Sequence, residues 1–130
     1  MHDLIKQLEF PFMTIYSISD DILLLEYKES GKIEINDAAE IMNAIEPLNK
    51  KGHNLIVSDA RVDDFYISKE ALDYIAKHPN GRKFNIKNAI VTNSLGLKLL
   101  AIVYINFSKP NGPSKIFQNC EEAINWLREN

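Results

Sequence analysis

The residues best suited to chemistry are gathered in one short stretch. Asp59, Arg61, Asp63 and Asp64 stand close together, and Tyr66, Ser68 and Lys69 follow. Two carboxylates do general acid/base work when their surroundings push their pKa values apart. The same carboxylates suit a hard cation. Turn chemistry also accounts for them: Asp59 closes a strand, Arg61 pairs with an acid, and the rest are solvated. A third use is recognition, in which Asp59, Arg61, Asp63, Asp64, Tyr66, Ser68 and Lys69 meet a protein partner. Ser68 itself has two readings. As a helix N-cap it contributes about 1 kcal/mol through a backbone bond. As a candidate phosphosite it would place a phosphate where the helix dipole favours anions, in a loop that is already acidic.

The other reactive side chains offer less. His2, His53 and His78 share no ligand spacing with one another or with Cys120, so no metal site is expected. Cys120 opens the last helix, where the dipole favours a thiolate. No histidine is near it in sequence, and a small half-buried role is expected. Gly81-Arg82-Lys83 beside Phe84 reads as a solvated basic loop. There is no glycine-rich phosphate loop, and Gly96 stands alone in a helical pattern. An enzymatic reading would rest on the acidic loop without a nucleophile–base pair. The chain is therefore expected to be non-catalytic and to need no cofactor.

The elements that position these residues follow from periodicity and breakers. Met13 to Ser19 and Ile22 to Tyr27 form a hairpin around Asp20-Asp21. Ile33 and Ile35 alternate with Lys32 and Glu34 as a short half-exposed strand. Asn36 or Asp37 caps a helix with the stripe Ala38, Ile41, Met42, Ile45 and Leu48; Pro47 is expected to kink or end it near Glu46. Leu55-Ile56-Val57 suits a strand buried on both faces. A helix from Ser68 to Lys77 ends before His78-Pro79. Ala89-Ile90-Val91 repeats the buried-strand signal. Ser94 opens a third helix through Phe107 that is apolar almost all round. Lys115-Ile116-Phe117 is a last strand, and Asn119 caps a final helix.

That order implies an α/β fold, a mixed sheet of about five strands with about four helices. The expected organisation is an N-terminal arm over residues 1–12 and a single domain over 13–130. On the third helix, Leu99, Ile102, Val103, Tyr104 and Ile105 offer an apolar surface for a small ligand or a homodimer. Cover by the arm, through Phe10 and Phe12, is the other reading. In an open α/β sheet ligands sit beyond the carboxyl ends of the strands. There the loops carry Ser58 to Ser68, then Thr92, Asn93 and Ser94, then Asn119.

Composition narrows the function. A net charge of −3 and a pI near 5.6 do not suit phosphate neutralisation, so no nucleic-acid partner is expected. A single cysteine precludes an intrachain disulfide and fits a reducing cytoplasm. The N-terminus lacks the apolar core of a signal peptide, and Leu99 to Ile105 is too short for a membrane span.

Val57 to Ser68, VSDARVDDFYIS, resembles the central segment of STAS domains, the class of the bacterial anti-sigma-factor antagonists. There an apolar strand is followed by an Asp, a loop and a phosphorylatable Ser or Thr at a helix start. Asp59 and Ser68 have that spacing. KIFQNCEEAINWL is similar to the ending of SpoIIAA-like relatives. The chain departs from the antagonists at Ile67, where they carry Asp, and at Lys69-Glu70, where they carry a small residue and Gly. The resemblance implies a STAS-like mixed sheet and a trade in protein contacts, with a regulator as one kind of partner. Lipid-exchange domains of the same superfamily add the alternative of a carrier with an apolar cavity between sheet and helices.

Overall fold

The computed structural model describes residues 7–19, 21–49, 55–78, 87–95, 97–99, 101–102 and 113–129. Its central strand is β5 (Leu55–Asp59), built on the apolar run that ends in Val57. The main sheet has six strands in the order β1 (Gln7–Glu9), β2 (Met13–Ser17), β3 (Ile22–Tyr27), β5, β7 (Lys87–Val91) and β8 (Ser114–Phe117). The first three strands are antiparallel; β3, β5, β7 and β8 are mutually parallel. The mixed sheet is therefore present, one strand richer than expected. The extra strand comes from the segment read as an arm: Gln7 to Glu9 pair with Tyr16 to Thr14. Lys28 ties it down through an ion pair with Glu9 and a bond to the Phe10 carbonyl.

A second, two-stranded parallel sheet pairs β4 (Gly31–Ile33) with β6 (Phe65–Ile67). Ile35, expected in a strand, is instead the first residue of helix α1 (Ile35–Asn49). The helix start explains the difference. The Asp37 carboxylate reaches back to accept from the Glu34 N–H at 2.9 Å, the return arm of a capping box. Pro47 does not stop α1, which runs on to Asn49. Proline in the last turn removes one bond, and the carbonyl it strands belongs to Asn43, an exposed residue that water can serve.

Alternation along the strands divides the core. Met13, Ile15, Leu23 and Ile56 face α1 and helix α2 (Lys69–Lys77), with Phe10 and Phe12 stacked at 5.4 Å in the same cluster. The two phenylalanines thus belong to the core with Ile33, Ile41, Ile67 and Ala71. Ile22, Val57, Ala89 and Val91 face the other way, onto Ala123 and Leu127 of the last helix, α4 (Cys120–Leu127). Helix α3, described at 95, 97–99 and 101–102, is capped by Ser94, whose hydroxyl accepts from Leu97 N. Asn119 caps α4 by accepting from Glu122 N at 2.9 Å. Among the described residues no helix is long and apolar enough to cross a membrane.

Candidate functional site

The parallel register brings Glu26, Asp59 and Val91 level at the carboxyl ends of β3, β5 and β7. Just beyond them, Glu26, Tyr27, Asp59, Arg61 and Asn93 line an open polar cup. The strand ends therefore carry the polar residues where an open α/β sheet places its site.

Asp59 is the hub of the cup. Its carboxylate is buried and accepts from Arg61 Nε and Nη2, both at 2.9 Å. It also accepts from the Cys120 thiol at 3.4 Å, which joins the loop after β5 to the start of α4. Burial pushes the Asp59 carboxyl up, but the bonds from Arg61 and Cys120 and the Arg61 charge outweigh it and leave the pKa below the ordinary value. Cys120 moves the other way. Burial first, then the Asp59 charge and its bond, push the thiol up to about 11. The helix N-terminus therefore does not yield a thiolate here, because burial and then the neighbouring carboxylate disfavour the charged sulfur.

The rest of the stretch is arranged around a turn. Glu29 accepts from the backbone N–H groups of Asp63 and Asp64, at 3.2 and 2.7 Å. The Asp64 carboxylate accepts from Ser30 Oγ at 3.1 Å, and the Asp64 carbonyl accepts from Ser30 N at 2.6 Å. Asp64 thus fastens the loop to the β3–β4 turn, where Ser30 holds a φ of 61°. Asp63 and Lys69 are exposed. Tyr66 points outward from β6 at 50% exposure, opposite Lys32 in register, with the Lys32 ammonium 6.0 Å from its ring centre. Ser68 is 4% exposed, and its hydroxyl accepts from Ala71 N at 3.0 Å as the N-cap of α2. A kinase would meet that hydroxyl only after the first turn of α2 opened.

The seven residues therefore fall into three groups. Asp59 and Arg61 line the cup; Asp63, Tyr66 and Lys69 present an outer face; Asp64 and Ser68 hold the loop in shape. The strand β6 was missing from the sequence reading, although Phe65-Tyr66-Ile67 is a run of strand-favouring types. Glu26 was missed as well, since only the register brings it to Asp59. On α3, Leu99 and Ile102 face outward with Leu95. The inner face is formed by Leu97 and Ala101. Val103, Tyr104 and Ile105 lie outside the described residues, as do His2, His53 and the Gly81-Arg82-Lys83 patch. Among the described residues no group of three His, Cys, Asp or Glu side chains is placed to hold a metal ion.

Residues 16–130 match the family described as a domain of unknown function, DUF7793. The chain belongs to the DUF7793 family. The match takes in the whole of the Asp59 to Lys69 stretch and leaves β1 outside it. Among curated proteins there is no match. Among solved structures, the DUF7793 chain is similar to an uncharacterized protein of the DUF3478 family from Shewanella loihica PV-4, which has a SpoIIAA-like fold. The two share 21% identity over 95% of each chain, with a TM-score of 0.62. At that identity the likeness speaks for the fold, and the fold of this DUF7793 chain is SpoIIAA-like.

Proposed function

We propose that this DUF7793 chain is a non-catalytic, STAS-like regulatory module that binds a protein partner through the face spanning Asp59 to Lys69. The observation that carries the reading is Tyr66. A tyrosine at 50% exposure is displayed on a strand held by backbone pairing to β4, by the Ser30–Asp64 bond and by Glu29. Rigid display lowers the entropy lost on binding, and tyrosine supplies large contact area with a polar tip. Lys32, Asp63 and Lys69 give the same face charges of both signs, which suits steering and register between partners. The mutual neutralisation of Asp59 and Arg61 supports the non-catalytic part, because it leaves neither as a free acid or base. The lone cysteine, held as a thiol, fits a reducing compartment, and we place the protein in the cytoplasm.

The test is affinity capture from the source cells with wild type, Tyr66→Ala and Asp63→Lys as baits. A partner retained by wild type should be lost from both variants while their melting temperatures stay within about 2 °C of wild type, as surface changes do. Identical captured sets for all three baits would rule the face out.

A further inference from the structure

The polar cup beyond β3, β5 and β7 encloses about 410 Å³, well above the roughly 30 Å³ of one water. Its border carries mixed charge. Glu26 and Asp59 are negative, Arg61 is positive, and Asn93 adds a neutral amide. The hydrogen bonds decide which of these groups can still take a ligand.

Asp59 is fully engaged. Its Oδ1 accepts from Arg61 Nε at 2.9 Å and from Arg61 N at 3.3 Å. Its Oδ2 accepts from Arg61 Nη2 at 2.9 Å and from the Cys120 thiol at 3.4 Å. Arg61 is only partly engaged. Nε and Nη2 serve Asp59, and Nη2 also reaches Cys120 Sγ at 3.5 Å. Nη1, which carries donors of its own, has no partner among the described residues. The two-pronged grip of Asp59 fixes the plane of the guanidinium, so that open end is held in place. Glu26 is exposed and also half engaged. Its Oε1 accepts from Tyr16 OH at 3.3 Å, and its Oε2 has no partner among the described residues. The parallel register sets Glu26 beside Asp59 on neighbouring strands, which lie about 4.8 Å apart. One open cationic donor and one open carboxylate oxygen therefore border the same cup.

We infer that the cup binds a small zwitterion, its carboxylate on Arg61 Nη1 and its ammonium on Glu26, the charge pattern of a free amino acid. A simple anion placed on Nη1 would meet the repulsion of Glu26 and Asp59. A simple cation placed on Glu26 would meet that of Arg61 and leave Nη1 unused. A molecule with both charges gives each group its opposite and adds no net charge to the cup. The cup does not depend on the outer face around Tyr66, and either can fail without the other.

The probes are the common L-amino acids, titrated singly into the full chain. The Arg61 Nε–H and Asn93 side-chain amide resonances report on the cup. At least one amino acid should shift both saturably. Its decarboxylated amine and its deaminated acid should each bind about tenfold more weakly or worse, the loss of one charge-assisted hydrogen bond. Glu26→Gln, a change at an exposed side chain, should weaken the amino acid by a similar factor and leave the deaminated acid bound at least as well. Arg61→Lys keeps a positive charge for Asp59 but has no second donor edge, and it should weaken the amino acid too. No saturable shift with any amino acid overturns the inference. So does an amine or acid that binds as tightly as its parent, or an affinity unchanged by Glu26→Gln, a readout that stands even where Arg61→Lys does not fold.

Discussion

Asp59 and Arg61, two residues apart, close a two-pronged ion pair with both N–O distances at 2.9 Å. The pair turns the Arg61 guanidinium back onto the end of β5, where a second contact, from the Cys120 thiol, reaches the same carboxylate across 61 positions of chain. The loop after the central strand is thus locked to the last helix by one side chain.

The first expectation concerns pH. Asp59 has a folded pKa below its ordinary value of 3.8 despite its burial. Between the two values the folded protein binds fewer protons than the unfolded chain. The stabilisation is therefore complete above the unfolded value and is lost as the pH falls through the folded one. Asp59→Asn should be less stable than wild type at pH 7 by about 1–2 kcal/mol, discounted for the exposed Arg61. The difference should shrink below about pH 4. Urea unfolding of both proteins from pH 7 to strongly acidic pH measures it, and a constant difference would contradict the assignment.

Cys120 should be a slow thiol. With its pKa pushed up to about 11, alkylation by iodoacetamide at pH 8 should run about a hundredfold slower than for a free cysteine. Asp59→Asn removes the carboxylate that disfavours the thiolate and should speed the reaction. Rates followed by mass spectrometry across pH give the thiol pKa directly.

Gly31 has no room for a side chain. A Cβ there would lie 2.5 Å from Phe65 Cε2 and 2.9 Å from the Lys28 carbonyl. The Phe65 ring is backed by Tyr27 at 4.7 Å between centres, and the Lys28 oxygen is backbone, so neither yields easily. Gly31→Ala should cost about 1–3 kcal/mol, the range for overpacking. Equal denaturation midpoints for variant and wild type would show that β4 and β6 can separate without loss.

Ser68 is expected to act through its cap. Ser68→Ala should lower stability by about 1 kcal/mol, and Ser68→Thr, which keeps an acceptor, should recover most of it. Thermal melts of the three proteins distinguish this from a purely steric role, in which threonine would be the worse substitution.

Much of the architecture is local information. Leu55-Ile56-Val57 is apolar without alternation and becomes a strand covered on both faces. Ser68, Ser94 and Asn119 each begin a helix because a short side-chain acceptor sits before an apolar periodic run. The antiparallel turn between β2 and β3 is likewise carried by adjacent polar residues. Such signals need only neighbours a few positions away, so a single sequence carries them.

Other features rest on partners far along the chain. β6 exists because Phe65 to Ile67 pair with Gly31 to Ile33, more than thirty positions back, and three residues alone cannot sustain a strand. β1 depends in the same way on β2 and on Lys28. The cup joins Glu26, Asp59 and Asn93 from three separate strand ends. The two faces of α3 also differ only in context. Leu97 and Ala101 form the inner face while Leu95, Leu99 and Ile102 stay exposed, though all five are apolar. By itself the sequence determined most of the elements, their order and the stretch richest in polar chemistry. Only the tertiary structure decided which of those residues are locked to one another and which face outward, because hydrogen-bond pairing and burial depend on register and packing between distant segments.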